Sequence, residues 1–485
     1  MPSEKIDDRT GRVCVVGAGS SGLAAAKNLL DAGFEVDVLE RDADLGGNWN
    51  YGRPGSRVYR STRMISSKWF TQYSDFAMPD HFPDFPHHEQ VLEYLRDYSR
   101  HWGIDHCTEY ETPVESIVPA CSDNSRDAGA SGANCWDVAT SRGCRRYKAV
   151  VVANGHNHQP RWPHYPGTFD GQAIHSAQYK TPDILAGKRV LVVGGGNSAC
   201  DIAVEAAQHG CATLHSMRRG YHYVPKYLFG RPSDLLADRL AALGLPLALR
   251  RWLIATILRV AGGPAHKSPL PAPDHKLYET HPIVNSLLPY YVRHGAIRMK
   301  PDVAELAGRE VRFVDGSREA VDLIVYATGY RLEFPFIDRR YLNWRDGCPR
   351  LLLNVFHPEY DNLFVAGLIQ PDSGQFQLVD WQMKAAAMFL SAAERALPAA
   401  DKLRALKRQE EPQRSTSIRY QRTDRHLLEV EHWSYLRQLK RVVRMLDHKR
   451  PLAKVDTEPT IISITARKRD YGGHVRRDVP MRRAA

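Results

Sequence analysis

Residues 13–22 of the chain read Val-Cys-Val-Val-Gly-Ala-Gly-Ser-Ser-Gly, an apolar run followed by three glycines spaced G-x-G-x-x-G. The pattern predicts a strand, a tight turn and a helix over residues 23–30. Gly17 allows the turn, Gly19 lets a pyrophosphate approach the backbone, and Gly22 lets helix and strand pack closely. The stretch therefore predicts a dinucleotide-binding unit whose phosphate loop is formed by Gly17, Ala18, Gly19, Ser20, Ser21 and Gly22.

The acid that follows this loop indicates which dinucleotide it binds. A second apolar run, residues 34–39, ends in Glu40. A carboxylate at this place accepts hydrogen bonds from both ribose hydroxyls and disfavours a 2′-phosphate. The first site is therefore predicted to bind a dinucleotide without that phosphate.

The same pattern recurs in residues 191–204, LVVGGGNSACDIAV, with Gly194, Gly196 and Ala199 at the three small positions. The apolar run that follows, residues 212–217, ends in Arg218 and Arg219 instead of an acid. Guanidinium groups suit a 2′-phosphate because they bind phosphate oxygens in a fork. This internal repeat predicts a second nucleotide site, for NADPH.

Two further motifs connect the chain with a known family. Leu45-Gly46-Gly47-Asn48-Trp49 follows Glu40, and residues 169–179 contain F-x-G-x-x-x-H-x-x-x-Y. In these motifs the chain resembles class B flavin-dependent monooxygenases, the flavin-containing monooxygenase family, over about residues 12–388. The resemblance implies FAD at the first site and NADPH at the second. It also implies that Asn48, Trp49 and Gln370 lie near the flavin and that Asn197, Ser198 and Asp201 lie near the nicotinamide nucleotide.

One departure bears on the chemistry. The family commonly has Asn in the segment N-[ST]-S-K, whereas this chain has Ile65 before Ser66, Ser67 and Lys68. An aliphatic side chain cannot donate the hydrogen bond of that Asn, which leaves the usual substrate class open. Ile65 and Ser66 are predicted to contact cofactor, and Ser66 and His175 are the candidate catalytic residues, both in supporting roles. We expect His175 to hold the linker between the domains, because a lone histidine is usually structural.

The predicted fold class is α/β, with two Rossmann-like dinucleotide-binding domains built on three-layer, doubly wound sheets. The strand-like segments AVVVANG at 149–155 and DLIVYATG at 322–329 bracket an insert. We predict the first part of an FAD-binding domain over 1–158 and an inserted NADP-binding domain over 159–324. The second part of the FAD domain with C-terminal helices follows over 325–460, and a basic tail over 461–485. The segments after Leu397 carry no catalytic signal.

The expected reaction follows from the two cofactors. NADPH reduces FAD, the reduced flavin adds dioxygen, and the flavin hydroperoxide transfers one oxygen atom to a nucleophilic nitrogen or sulfur of a small molecule. Baeyer-Villiger oxygenation of a ketone and a two-nucleotide redox flavoprotein without oxygen transfer remain alternatives. A disulfide reductase is disfavoured because the eight cysteines include no C-x-x-C pair, and no metal site is predicted.

Composition limits the partners. The net charge is +11, and residues 467–483 hold seven basic residues against two acidic ones. They show no regular aromatic interleaving, with Tyr471 alone among them, so we expect a solvated tail and no nucleic-acid partner. The most apolar stretch, residues 235–262, is interrupted by four arginines, which argues against stable membrane insertion. The N-terminus has no apolar signal segment, so a cytoplasmic location is expected, and a homodimer is compatible with the sequence.

Overall fold

A computed structural model describes residues 6–120, 134–262, 269–277, 279–280, 282–409 and 427–447 of the chain. The predicted basic tail, 461–485, lies outside these residues.

The first sheet has seven strands. Strand Asp7–Val16 lies at its centre and pairs in parallel with Glu35–Leu39 on one side and with Gly143–Val152 on the other. Thr108–Glu109 and Leu363–Val365 extend the parallel part. Two antiparallel strands complete the sheet, Trp136–Thr140 and Val114–Pro119.

The second sheet has five strands, all parallel. Their order across the sheet is Ile297–Lys300, Ala212–Ser216, Arg189–Val193, Leu323–Tyr326 and Gln172–His175. The first and last of these strands in sequence pair with each other, so the chain enters and leaves the sheet by neighbouring strands. The prediction of an α/β chain with two Rossmann-like parallel sheets is confirmed.

Within the described residues, ten α-helices accompany these sheets: α1 Ser20–Asp31, α2 Lys68–Thr71, α3 His88–His101, α4 Asn197–Gln208, α5 Ser233–Ala242, α6 Leu247–Gly262, α7 Leu287–Arg293, α8 Phe376–Glu394, α9 Pro398–Lys407 and α10 His432–Leu446. Helix α1 begins at Ser20, inside the first glycine loop, three residues earlier than the sequence pattern indicated. In the part of the chain that the structure describes, no helix combines the length and the apolar character needed to cross a bilayer.

Smaller sheets and strand pairs lie outside the two main sheets. A four-stranded sheet consists of Gly167–Phe169, Val303–Gly308, Glu310–Phe313 and Arg318–Ala320. Five two-stranded pairs are Gln159–Pro160 with Tyr330–Arg331, Tyr223–Val224 with Ile283–Val284, Tyr227–Leu228 with Arg231–Pro232, Trp344–Arg345 with Cys348–Pro349, and Gln370–Pro371 with Glu429–Val430.

The main core explains why α1 is rich in alanine. Ala24, Ala25 and Ala26 are fully buried in one cluster with strand residues Val13 and Val15. Helix α1 contacts both the first sheet and α8, and small side chains let three elements approach closely. The carboxyl end of the central strand, which Gly17 follows, is thereby held in place by the packing of α1 against the sheet and α8.

Candidate functional site

A single cavity of about 2060 Å³ connects the two glycine loops. The predicted site residues on its wall are Gly17, Gly19, Ser20, Ser21, Glu40, Asn48, Trp49, Ile65, Ser66, Gly194, Gly196, Asn197, Ser198, Arg218, Arg219 and Gln370. Four other predicted residues, Ala18, Gly22, Asp201 and His175, lie behind this wall. The structure therefore brings together residues that are more than 300 positions apart in sequence.

The first glycine loop has almost no free space for side chains. Gly17 has a φ of +106°, and a Cβ added to it would lie 2.9 Å from the carbonyl oxygen of Ala153. A Cβ on Gly22 would lie 1.8 Å from the carbonyl oxygen of Gly17. Gly19 is the N-cap of α1, so the first amide groups of that helix open onto the cavity. This geometry suits an anionic pyrophosphate.

Glu40 lies beside this loop at the end of its strand. It is 6% exposed, and its Oε2 accepts a hydrogen bond from the Ala18 amide at 2.6 Å. Its Oε1 accepts one from the Asp42 amide at 2.9 Å. Burial raises the pKa of Glu40, while these two hydrogen bonds oppose the shift. A carboxylate has further lone pairs, so Glu40 can also accept hydrogen bonds from a ligand.

The segment after Glu40 completes this half of the site. Gly47 has a φ of +49°, and a Cβ on it would lie 3.1 Å from Cα of Gly19, so the two turns are in close contact. Asn48 Oδ1 accepts a hydrogen bond from the Arg57 amide at 2.8 Å. Trp49 packs edge-on against Phe376 at a ring separation of 6.4 Å. Our list of expected site residues omitted Gly47, although the Gly46-Gly47 doublet was a signal for it.

The loop with Ile65 is held by a contact within its own segment and by one with Asp234. Ser66 Oγ lies 2.7 Å from Thr71 Oγ1, and the Ser67 amide donates to Asp234 Oδ2 at 2.7 Å. Asp234 also lines the cavity, its Oδ1 is buried without a hydrogen-bond partner, and burial raises its pKa. Sequence reasoning missed Asp234, because nothing near it in sequence marks it as a site residue.

The second glycine loop repeats the geometry of the first. Gly194 has a φ of +138°, and a Cβ on it would lie 2.2 Å from the carbonyl oxygen of Ala327. Helix α4 begins after Gly196, and Asn197 Oδ1 accepts from the Val284 amide at 2.9 Å. His215 is fully buried, with Nε2 2.7 Å from the Gly194 carbonyl oxygen. Because that oxygen can only accept, Nε2 carries the proton, and His215 stabilises the loop from behind.

The strand Ala212–Ser216 ends just before the predicted arginines. Arg218 is exposed, Arg219 is half-buried, and both line the cavity. They lie at the carboxyl end of a parallel strand that neighbours the strand of the second glycine loop. Positive charge is thus placed at the end of the second loop, whereas Glu40 places negative charge at the end of the first.

Asp201 connects the two halves of the molecule. Its Oδ2 accepts a hydrogen bond from the Tyr59 hydroxyl at 2.9 Å, and its Oδ1 accepts one from Asn285 at 2.7 Å. Both oxygens are therefore engaged by protein groups. Burial raises the pKa of Asp201, and the hydrogen bond from Tyr59 opposes that shift.

The F-x-G-x-x-x-H-x-x-x-Y motif forms a second set of contacts behind the wall. His175 is fully buried, with Nε2 3.1 Å from the Gly329 carbonyl oxygen and Nδ1 accepting from the Ala177 amide at 3.1 Å. Burial lowers the pKa of His175 to about 4, so the ring is neutral at pH 7. Tyr179 donates to Glu205 Oε2 at 2.6 Å and packs on Tyr59.

The C-terminal segment also reaches the cavity. Gln370–Pro371 pairs in parallel with Glu429–Val430, which brings residues 427–433 to the wall. Asp372, Glu431 and His432 line the cavity together with Arg250 of α6. No pattern in the sequence marked these residues, because they come from three distant segments.

Comparison with known proteins decides the family. A sequence model described as flavin-binding monooxygenase-like matches residues 10–457. The N-oxide-forming dimethylaniline monooxygenase 2 of Oryctolagus cuniculus is 33% identical over 395 residues, which are 77% of this chain and 72% of that relative. The chain belongs to the flavin-binding monooxygenase-like family. It is an FAD-dependent NADPH:oxygen oxidoreductase, a monooxygenase, and the predictions of family, enzyme class and cofactors are confirmed.

Solved structures show the same fold. S-allyl-L-cysteine S-oxygenase from Allium sativum matches with a TM-score of 0.60 at 21% identity, over 90% of this chain and 89% of that one. NADP⁺-bound cyclohexanone monooxygenase from Rhodococcus sp. Phi1 matches with a TM-score of 0.58 at 19% identity, over 81% and 85%. Both share the overall fold of this flavin-binding monooxygenase-like chain.

The geometry fits the two cofactors of a flavin-binding monooxygenase-like protein. Each glycine loop forms a cradle that a single Cβ at Gly22 or Gly194 would distort, since the added atom would collide with a backbone carbonyl oxygen. Each cradle faces the start of a twelve-residue helix, where amide groups can bind phosphate. Both cradles open on the same cavity, which has room for two dinucleotides.

Proposed function

We propose that this monooxygenase transfers one oxygen atom from dioxygen to a nucleophilic nitrogen or sulfur of a small organic molecule, using NADPH as reductant. The observation that supports this best is the charge difference between two glycine loops on one cavity. Glu40 follows the second strand of the first unit, and Arg218 and Arg219 follow the corresponding strand of the second unit. FAD in the first loop and NADPH in the second would then meet in the space between them.

In this proposal the protein positions the cofactors. Glu40 binds the ribose of FAD, the amide groups at the start of α1 bind its pyrophosphate, and Asn48 and Trp49 lie at the flavin. Arg218 and Arg219 bind the 2′-phosphate of NADPH, and Asn197 and Ser198 lie near its nicotinamide nucleotide. Bound FAD supplies the redox chemistry and the reaction with dioxygen. Ser66, beside Ile65, orients the loop at the flavin, and Asp201 and His175 hold the NADPH-binding unit in position.

Two features favour nitrogen or sulfur over a ketone. Tyr179 completes the motif of flavin-containing monooxygenases, where typical Baeyer-Villiger enzymes carry Trp. The relative from Oryctolagus cuniculus is named for N-oxide formation, and the structure from Allium sativum is named for S-oxygenation. Ketone oxygenation remains the second candidate because Ile65 removes the usual polar contact, and a redox flavoprotein without oxygen transfer is the third.

Domain division and assembly are part of the same proposal. We place the NADP-binding domain at 159–324 within an FAD-binding domain at 1–158 and 325–460. The strands of the second sheet, which run from Gln172 to Tyr326, support this division. The partners are a small-molecule substrate and dioxygen, a homodimer is compatible with the sequence, and a cytoplasmic location remains an expectation.

The experiment is product analysis with labelled oxygen. The FAD-loaded protein is incubated with NADPH and ¹⁸O₂ and, in separate reactions, with thioanisole, N,N-dimethylaniline or cyclohexanone; reactions without NADPH are the control. We expect one ¹⁸O atom in the sulfoxide or the N-oxide. Labelled lactone from cyclohexanone alone would establish the second candidate, and hydrogen peroxide as the only oxygen product in all three reactions would overturn oxygen transfer.

A further inference from the structure

Outside the two glycine loops, the cavity wall carries a further cluster of charged groups. Asp372 and Glu431 lie on its wall, and Arg250 reaches them from α6. Asp372 follows Gln370 by two residues, and the strand pairing of Gln370–Pro371 with Glu429–Val430 holds the two carboxylates in the same region. We call these residues, with His432, the acidic end of the cavity.

Both carboxylates are fixed by backbone contacts. Asp372 Oδ1 accepts a hydrogen bond from the His432 amide at 2.9 Å. Glu431 is the N-cap of α10, and its Oε2 accepts from the Ser434 amide at 2.7 Å. These hydrogen bonds orient the acids without neutralising them, so their charge remains available to a ligand.

The positive charge in the cluster does not balance the negative charge. Arg250 Nη1 lies 3.6 Å from Glu431 Oε1, so one guanidinium faces two carboxylates. Burial, and then the proximity of Glu431, raise the pKa of Asp372 to about 7. With both acids ionised, Arg250 offsets one of the two negative charges, and a cation bound beside Asp372 would offset the other.

An unpartnered histidine and aromatic rings complete the wall. His432 is 1% exposed, and neither of its ring nitrogens forms a hydrogen bond, although both are buried. Burial lowers its pKa to about 4; the nearby Glu431 and the backbone of Gly374 offset part of this shift without completing a hydrogen bond of normal geometry. Phe70 packs edge-on against His432 at 5.9 Å and against Trp433 at 6.0 Å.

These groups have the chemistry of a site for an organic cation. A neutral imidazole offers a lone pair to an N–H donor, carboxylates accept from ammonium groups, and aromatic faces attract cations within about 6 Å. A buried imidazole without a partner is costly, and a ligand N–H would satisfy it. An anion would meet two carboxylates, and the guanidinium of Arg250 is already paired with Glu431.

We propose that the acidic end binds an ammonium group of the substrate, separate from the nitrogen or sulfur that is oxidised. The inference rests on the proposed function, because it concerns the same cavity. A nitrogen that attacks oxygen must have its lone pair free, so the bound ammonium is a second group on the same molecule. The substrate class is therefore an amine that also carries an oxidisable sulfur or second nitrogen.

The test uses two sulfides of nearly the same shape. 3-(Methylthio)propylamine carries an ammonium group where butyl methyl sulfide carries a methyl group. We expect the wild type to oxygenate the ammonium compound with at least a tenfold higher kcat/KM, and Glu431→Gln and Asp372→Asn each to lower that ratio about tenfold. Both variants keep an acceptor for the backbone amide. Glu333→Gln, which changes a carboxylate elsewhere on the cavity wall, should leave the ratio unchanged.

A binding measurement separates this inference from the proposed function. 3-(Methylthio)propylamine should raise the Tm of the FAD-loaded wild type, and should not raise that of the Asp372→Asn, Glu431→Gln double variant. Equal shifts in both proteins, or equal kcat/KM for the two sulfides in the wild type, would overturn the acidic end as an ammonium site. Absence of sulfoxide from either compound would overturn the proposed function, while the Tm comparison would still decide on the ammonium site.

Discussion

The Tyr59 hydroxyl donates a hydrogen bond to Oδ2 of Asp201 across 2.9 Å, although the two residues are 142 positions apart in sequence. Tyr59 belongs to the loops that follow the first glycine motif, and Asp201 lies in the helix that begins at the second. The bond therefore joins the two nucleotide-binding units directly. The ring of Tyr59 also packs edge-on against Tyr179 at 5.5 Å, which strengthens the same contact.

Removing the Tyr59 hydroxyl should loosen this junction. Tyr59→Phe leaves one buried oxygen of Asp201 without its donor, so we expect the free energy of unfolding to fall by about 1–3 kcal/mol. Urea and thermal denaturation of the FAD-loaded protein measure the change. Tyr290→Phe is the control because Tyr290 is 53% exposed, and it should unfold like the wild type. Equal stability of Tyr59→Phe and wild type would show that the bond does not hold the junction.

Adding one methyl group at Gly22 should abolish FAD binding. The new Cβ of Gly22→Ala would lie 1.8 Å from the Gly17 carbonyl oxygen, so the loop must move away from the start of α1. Flavin absorbance per mole of purified protein, with circular dichroism to check folding, measures the effect. Gly11→Ala, which has nothing within 4 Å of its added Cβ, should keep full FAD content. A normal flavin spectrum from Gly22→Ala would contradict the assigned cradle.

Arg218 should decide between NADPH and NADH. In Arg218→Gln the 2′-phosphate loses a charged partner worth about 1.5–3 kcal/mol, so we expect KM for NADPH to rise roughly 10- to 100-fold. NADH has no 2′-phosphate, and its KM should change less than about threefold on the same ground. Steady-state oxidation of each coenzyme measures both values. Arg331→Gln, another exposed arginine of the cavity wall, is the control. An equal rise for both coenzymes would refute the role of Arg218.

His175 should contribute to acid sensitivity. Burial lowers its pKa to about 4 in the folded protein, whereas an unfolded histidine titrates near 6.5. The unfolded chain therefore binds more protons between these values, and the stability that His175 contributes is complete above pH 6.5 and is lost as the pH falls toward 4. We expect the Tm difference between wild type and His175→Gln to shrink over that interval.

A control and a kinetic measurement accompany this prediction. His164→Gln changes a histidine at an exposed position and serves as the control; it should unfold like the wild type. Because the ring of His175 is already neutral there, His175→Gln should leave the pH profile of kcat/KM near pH 6.5 unchanged. An inflection there that His175→Gln removes would assign His175 a role in proton transfer.

Much of the fold could be predicted because its signals are local. A glycine loop, a helix start and a terminal charge occupy about thirty consecutive residues, and backbone sterics at Gly17 and Gly194 demand glycine whatever the rest of the chain does. Because the charged residue lies so close to each loop, the sequence alone was enough to predict a different dinucleotide for the loop with Glu40 and for the loop with Arg218.

The remaining parts of the site depend on tertiary contacts. Asp234 reaches Ser67 from 167 residues away, and the Asp372–His432 contact spans 60 residues. No neighbouring sequence pattern identifies either acid as a site residue. Their contacts form only when segments that are distant in the sequence pack together. His175 shows the opposite case, because its motif is recognisable in the sequence while its contacts are all to protein groups.

The pairing of Gln159–Pro160 with Tyr330–Arg331 has a consequence for how such a chain can change over time. In the division that we propose, these two strands are the connections between the domains, and they run side by side, so the chain leaves and returns at the same place. An insertion or a replacement between these two strands would leave the course of the rest of the chain unchanged. Replacement of the proposed NADP-binding domain by that of a homologue should therefore leave the rest of the fold intact, and the coenzyme preference that we assign to Arg218 should be transferred with it.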